Sequence, residues 1–334
     1  MATKPLVAVT RLIPDAGLQL VREACEVRQW EQELPPSPAE LDALLDGVDG
    51  ALTLLTDKFD GDVLDRHPNL KVLSNFAVGF DNIDVADATA RGVAVCNTPG
   101  VLTATTAEMA FTLLMAAARR VVEGVTYVRE GKWNTWGPTL LLGQDIVGAT
   151  LGIVGFGRIG KELARMASGF NMKLLAYDTY QDPNAAEEFG VTFVELDELL
   201  RESDYVSLHV ALTPETHHLI STRELDLMKP TAVLINAARG PVVDTDALTK
   251  ALTNGDIFAA GLDVTDPEPL PADHPLVSLP NCVVVPHIAS ATVTTRDNMA
   301  KLAANNLIDV LNGRKPEVIV NPEVLDKLRG TVQA

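Results

Sequence analysis

The sequence predicts an α/β protein built from two doubly wound domains, and three observations carry that expectation. Short β-branched runs alternate with helical patterns throughout the 334 residues, the signature of βαβ units on parallel sheets. A glycine turn, Gly155-Phe-Gly157-Arg158-Ile159-Gly160, stands between an apolar strand and an amphipathic segment. The chain is also too long for one ordinary core and comfortable for two.

Taken in order, the first hundred residues predict strands over 6–10, 27–30, 51–55, 72–77 and 93–97, with helices such as 14–24 and 39–45 between them. From 103 to 120 runs an Ala/Leu/Met-rich stretch with strong helix propensity and almost no charge in its middle. A helix apolar all round is expected to lie buried between layers, here where the chain crosses from one domain to the next. Trp133, Trp136 and Gly137-Pro138 end this stretch. A second series of six strands is expected over 150–155, 173–178, 205–210, 232–237, 259–264 and 283–286, the count of a full dinucleotide fold. A last helix over 294–311 meets Asn312-Gly313, a good C-cap.

Composition narrows the function classes. Apolar residues make up 47% and charged residues 22%, ordinary for a globular protein and unlike a disordered or fibrous one. No run approaches the roughly 20 apolar residues that a membrane span needs, so no membrane partner is expected. The N-terminus enters a strand-like segment without a secretory leader, which predicts a cytoplasmic protein. Cys25, Cys96 and Cys282 are widely spaced and odd in number, so free thiols are expected rather than disulfides or a zinc knuckle. His217-His218 are adjacent, and His67, His209 and His274 show no clustered ligand spacing, so no metal is expected. The net charge of −18 opposes nucleic acid. It also repels anions at long range, so a carboxylate substrate would need a local cation.

The glycine turn is the strongest single motif. A GxGxxG alone is weak, but here it follows a strand and opens a helix whose apolar positions Ile159, Leu163, Met166, Ala167 and Phe170 share a face. Gly155 permits the tight turn, Gly157 lets the backbone approach a pyrophosphate, and Gly160 allows close helix packing. Asp178 ends the next strand, placed to accept hydrogen bonds from ribose hydroxyls and to repel a 2′-phosphate. No Arg or Lys follows before Gln181-Asp182, so NAD is favoured over NADP. Gly160-Lys161 nearly completes a P-loop, but Glu162 stands where a magnesium-binding hydroxyl is needed.

Three further segments sit at expected strand ends: Asn236-Ala237-Ala238-Arg239-Gly240, Gly261-Leu-Asp263 running on to Glu268, and Pro286-His287. Each alone has a bland reading: a surface ion pair, a solvated acid, a turn histidine. Ligands of open α/β sheets bind outside the carboxyl ends of the strands, so Arg239, Asp263 and His287 are expected in one crevice.

On these residues, together with Asn75-Phe-Ala-Val78-Gly79-Phe-Asp-Asn-Ile-Asp84, Asn97-Thr-Pro-Gly-Val-Leu102 and Thr105-Thr106-Ala107-Glu108, the chain resembles the D-isomer-specific 2-hydroxyacid dehydrogenases over almost its full length. Trp133-Asn-Thr-Trp136-Gly-Pro138 with Leu140-Leu-Leu-Gly143 tilts the resemblance toward the glyoxylate/hydroxypyruvate reductases. The resemblance implies a flavodoxin-like substrate domain, 1–100 with 288–334, and a Rossmann NAD-binding domain, 101–287, closing on each other about a hinge. It implies NAD-dependent reduction of a small 2-oxo acid to the D-2-hydroxy acid. The catalytic residues would be Arg239, Glu268 and His287: His287 donates a proton to the ketone oxygen, and Glu268 fixes its tautomer. Amides of Val78 and Gly79 would hold the substrate carboxylate and Arg239 would grip it or the carbonyl, with Leu55 in the substrate pocket. Thr106, Gly155, Gly157, Arg158, Ile159, Gly160, Asp178, His209, Val210, Ala211, Ala237, Ala238, Asp263 and Ala289 would line the cofactor. Ala289 stands where many relatives carry glycine.

The resemblance also implies a homodimer, through the 103–118 helix and the Trp loop. Formate dehydrogenases share the fold, but Glu268 argues against that branch. Phosphoglycerate dehydrogenase is the alternative enzyme, and a non-catalytic, NAD-sensing corepressor is the alternative outside catalysis.

Overall fold

In the computed structural model, which describes residues 4–328, the chain divides into two units, Met1–Leu102 with Ala291–Ala334, and Thr103–Ser290. The ends of the expected first domain, 1–3 and 329–334, lie outside the described residues. Among the described residues no helix is long and apolar enough to cross a membrane.

The first unit carries a parallel sheet of β1 (Leu6–Val9), β2 (Glu26–Gln29), β3 (Gly50–Thr53), β4 (Val72–Asn75) and β5 (Ala94–Cys96) in the order β2-β1-β3-β4-β5. Its helices are α1 (Asp15–Ala24), α2 (Pro38–Leu45), α3 (Gly61–Arg66), α4 (Val85–Ala90) and, from the far end of the chain, α13 (Val293–Leu311). Local chemistry fixes where they begin. Ser37 and Glu40 form a capping box with Pro38 in the first turn of α2. Asp60 and Asp84 accept the Val63 and Asp87 amides at the starts of α3 and α4. Leu41, Leu44 and Leu45 of α2 pack with Leu64, Leu73 and Val95 in a buried cluster. Helix α1 lies against α13 so closely that a Cβ on Gly17 would stand 2.6 Å from the Ala300 Cβ.

The second unit holds seven parallel strands in the order β12-β11-β10-β9-β6-β7-β8. They are β6 (Thr150–Val154), β7 (Lys173–Tyr177), β8 (Val191–Phe193), β9 (Tyr205–Leu208), β10 (Val233–Asn236), β11 (Ala259–Leu262) and β12 (Cys282–Val284). Its helices are α5 (Thr103–Ala118), α6 (Val121–Arg129), α7 (Arg158–Ser168), α8 (Pro183–Phe189), α9 (Leu196–Glu202), α10 (Thr222–Leu227), α11 (Thr245–Asn254) and α12 (Pro275–Ser278). One buried cluster joins Leu113 and Leu114 of α5 and Leu163 and Ala167 of α7 to Leu151, Ile153 and Ile235 of the sheet. A second joins Leu199 and Leu200 of α9, Leu225 of α10 and Leu248 and Leu252 of α11 to Val206 and Leu234. Both faces are covered, which is why these strands read as unbroken apolar runs rather than alternating ones.

The order reverses between β6 and β9, the crevice position of a dinucleotide fold. Seven strands replace the expected six because β8, three residues on the sheet edge, is too short to register as periodicity. The expected 103–120 helix stops at Ala118. There the Gln144 amide takes the Ala118 carbonyl at 2.9 Å and Arg120 turns left-handed at φ 50° before α6 begins. Nor is α5 buried all round: Ala104, Glu108, Thr112 and Met115 form an exposed stripe at helical spacing.

Candidate active site

The groups singled out in the second unit follow the C-terminal ends of its strands: Gly155 after β6, Asp178 after β7, His209 after β9, Ala237 after β10, Asp263 after β11 and His287 just beyond β12. The glycine turn is a tight cradle. Gly155 has φ +93°, and a Cβ on it would stand 2.7 Å from the His209 carbonyl carbon. A Cβ on Gly160 would collide with the Gly155 carbonyl oxygen, so the third glycine lets α7 close on the turn. On Gly157 a Cβ would meet nothing within 4 Å, so this glycine faces open space. Gly157 is also the N-cap of α7, with no side chain capping it, which leaves first-turn amides for an anion. The cradle fits a dinucleotide pyrophosphate.

Asp178 is spoken for in part. Its Oδ2 accepts the Phe156 amide at 2.7 Å and its Oδ1 the Tyr180 amide at 3.0 Å, so it braces the glycine turn while remaining half-buried. His209 hydrogen-bonds Ser207 Oγ through Nε2 at 2.8 Å, and its enclosed Nδ1 has no partner among the described residues. Burial holds this imidazole neutral, pushed down to about 4. Val210 is half-buried, Ala211 exposed, and Thr106 buried in the first turn of α5.

The three expected catalytic residues lie on neighbouring loops. His287 Nδ1 meets Glu268 Oε1 at 2.6 Å. Burial pushes the Glu268 carboxyl upward, but the hydrogen bond from His287 and the charges of His287 and Arg239 outweigh it and hold the group below its ordinary value. The Arg239 turn presses on the loop leading to Glu268: a Cβ on Gly240 would collide with the Thr265 carbonyl oxygen. His287 itself sits at φ 52°, its amide donating to the Asp263 carbonyl at 2.9 Å.

Two residues do more here than the sequence reading assigned. Asp263, expected to line the cofactor, is 1% exposed. Its carboxylate accepts the Ile288 amide at 2.7 Å and the Ala289 amide at 3.1 Å, clamping the chain just after His287. Asn236 has no role in the sequence reading. Its Nδ2 donates to the Arg239 carbonyl at 2.9 Å and its Oδ1 accepts the Ala238 amide at 3.0 Å, so one side chain shapes the Arg239 turn. An asparagine closing a strand before a turn is the legible signal.

In the first unit, Leu55, Val78 and Gly79 lie on loops that follow β3 and β4. Among the described residues, no group of three or more His, Cys, Asp or Glu is placed to hold a metal ion.

A glycine cradle at the reversal point of a Rossmann sheet, with a histidine oriented by a carboxylate on the same edge, makes this chain a dinucleotide-dependent oxidoreductase. Comparison with known proteins narrows the class. The family model of the D-isomer-specific 2-hydroxyacid dehydrogenase NAD-binding domain matches residues 111–289. A glyoxylate reductase of Korarchaeum cryptofilum is 52% identical over 323 residues, 96% of this chain and 97% of that one. Among solved structures, the TT0316 protein of Thermus thermophilus is similar at a TM-score of 0.89 and 47% identity, covering 94% of this chain and 99% of that one. An NADPH-dependent glyoxylate/hydroxypyruvate reductase of Sinorhizobium meliloti, solved with NADP and malonate, is similar at 0.86 and 31%, covering 99% and 100%. The chain belongs to the D-isomer-specific 2-hydroxyacid dehydrogenases.

Proposed function

We propose that this chain reduces glyoxylate or hydroxypyruvate to the corresponding 2-hydroxy acid, of the D configuration where C2 is chiral, with NADH preferred over NADPH. The observation that carries the reading is the His287–Glu268 pair at 2.6 Å, bridging two loops beside that of Arg239 at the carboxyl edge of the dinucleotide sheet. Bound NADH would supply the hydride. The chain supplies the proton and the positioning. With Nδ1 committed to Glu268, His287 presents Nε2 to the keto oxygen and gives up its proton as the alcohol forms; in the reverse direction it takes the proton back. The Arg239 guanidinium matches a carboxylate and adjacent carbonyl by two parallel donors, and supplies the local cation that a protein of net charge −18 needs to hold an anion. Amides of Val78 and Gly79 receive the carboxylate. Asp178 supports the NADH preference, since a carboxylate following β7 accepts ribose hydroxyls and repels a 2′-phosphate.

A cytoplasmic homodimer completes the reading. Buried free Cys25, Cys96 and Cys282 suit a reducing compartment, and an exposed apolar face on α6 and the Trp133–Trp136 loop suits a second copy.

The test is the initial rate of NADH and NADPH oxidation with glyoxylate, hydroxypyruvate, pyruvate and phosphohydroxypyruvate, alongside His287→Ala. Turnover of NADH with glyoxylate or hydroxypyruvate, lost in the variant, is expected. Activity with phosphohydroxypyruvate alone would move the assignment to phosphoglycerate oxidation. Tight NADH binding without turnover would overturn the enzymatic reading.

A further inference from the structure

Two buried asparagines at strand ends of the first unit have no place in the chemistry above. Asn97, just past β5, donates from Nδ2 to the Val78 carbonyl at 2.7 Å. Asn75, the last residue of β4, donates from Nδ2 to the Gly79 carbonyl at 2.9 Å. The preceding carbonyl, that of Ala77, accepts the Thr98 amide at 2.8 Å. Three successive carbonyls are thus drawn onto groups at the ends of β4 and β5. All three peptides are trans, and a trans peptide points its N–H opposite its C=O. The N–H groups of Val78, Gly79 and Phe80 are therefore turned away from those anchors, and among the described residues none of the three has an acceptor.

Asn75 reaches further. Its Nδ2 also meets Asn82 Oδ1 at 3.1 Å, and its own Oδ1 accepts the Thr53 hydroxyl at 3.1 Å. Asn82 in turn donates to the Leu54 carbonyl at 3.1 Å and the Asp57 carbonyl at 2.8 Å. Asp57, 2% exposed, accepts the Leu54 amide at 2.8 Å and the Thr10 hydroxyl. The loop bearing Leu55 and the loop bearing Val78 and Gly79 are joined through this one network. Asn75 is 0% and Asn97 6% exposed, so each occupies an interior position where an apolar side chain would be cheaper unless its donors were needed.

We propose that Asn97 and Asn75 are positioning residues: by holding the Val78 and Gly79 carbonyls inward they aim consecutive backbone amides outward as a preformed cradle for the carboxylate of the 2-oxo acid. This rests on the reading that these amides receive the substrate. An oriented nest of amides costs no reorganisation when the anion arrives, so loss of an anchor acts on carboxylate affinity and not on the dinucleotide.

The experiment is Asn97→Ala in the full-length enzyme, with Asn97→Ser as the milder second variant. It measures KM and kcat for glyoxylate, the inhibition constant of oxamate, which offers a carboxylate but is not reduced, and the NADH dissociation constant. Expected are a rise of roughly tenfold in both KM and the oxamate constant, the worth of about one charge-assisted hydrogen bond, with NADH affinity within about twofold of wild type. A folded variant with unchanged oxamate affinity would overturn the positioning role. A merely structural role would instead weaken NADH and oxamate together and lower the melting temperature, and would equally overturn it. The underlying reading is tested separately on the unaltered enzyme: oxamate should shift the amide resonances of Val78, Gly79 and Phe80. Absence of those shifts would sink the cradle itself, whatever the variants do.

Discussion

At the residue scale the proposed chemistry rests on one histidine whose orientation is fixed three times over. Glu268 holds Nδ1, the Asp263 carbonyl holds the His287 amide, and the Asp263 carboxylate holds the two amides that follow. Replacing His287 by Gln removes the proposed proton donor without opening a large cavity. It should lower kcat by roughly 10²- to 10⁴-fold, the usual worth of a general acid, while NADH still binds; fluorescence titration and steady-state rates with glyoxylate check both halves.

The Glu268 carboxyl, held below its ordinary value, contributes its stability above the unfolded carboxylate pKa and loses it only as pH falls through the lower folded value. His209 acts in the same direction over a higher pH window. Its folded value near 4 lies below the ordinary 6.5, so the unfolded chain binds more protons in that window. Stability should therefore fall as pH drops from 6.5 toward 4, with a slope on the order of 1 kcal/mol per unit, since part of the residue still reaches solvent. Urea unfolding of wild type and His209→Asn across that range should show a shallower fall in the variant; parallel curves would assign the slope elsewhere.

At the scale of the element, the glycine turn separates two demands that the motif lists side by side. Gly160→Ala would drive a Cβ into the Gly155 carbonyl and should destabilise the fold by about 1–3 kcal/mol, the usual cost of overpacking. Gly157→Ala meets nothing. It should leave the melting temperature nearly unchanged and weaken NADH binding at least severalfold; equal melting losses in the two variants would refute the distinction.

This is also the scale at which the sequence was most readable and where it ran out. Strands β6, β7, β9, β10, β11 and β12 were legible because burial on both faces makes each an apolar run. The three-residue β8 was not, and neither was the break between α5 and α6. That break depends on the Gln144 amide capturing the Ala118 carbonyl, an event between residues distant in sequence that propensity does not register. In the candidate site, strand-end positions are what single out Arg239, Asp263 and His287. Orientation was hidden: Asp263 reads as a cofactor contact and Asn236 carries no role, because their clamps on the residues beside them exist only once the turns have folded.

For the whole molecule, the large apolar groups left in solvent call for explanation, because isolated exposed side chains are normal and a contiguous set is not. On α6, Val121, Val125 and Val128 recur at helical spacing, Val125 being 44% and Val128 54% exposed, and Val122 lies alongside. Among the described residues, α6 has no buried side chain at all. Such a helix contributes little to its own unit's core and gains most by laying this face against another surface. Trp133, Trp136 and Leu142 extend the exposed set on the segment that follows, and Met115 lies on the exposed stripe of α5. A second copy offers the same face, and a two-fold axis makes such a face complementary to itself, closing the assembly at two. Light scattering on the eluting protein should give about twice the 35.8 kDa chain mass. Val125→Glu with Val128→Glu would place two charges on each side of the contact and should return the mass to that of one chain, with NADH binding retained by the glycine cradle. A wild-type mass of one chain, or a variant that remains dimeric, would remove α6 from the interface and leave its valines without a partner.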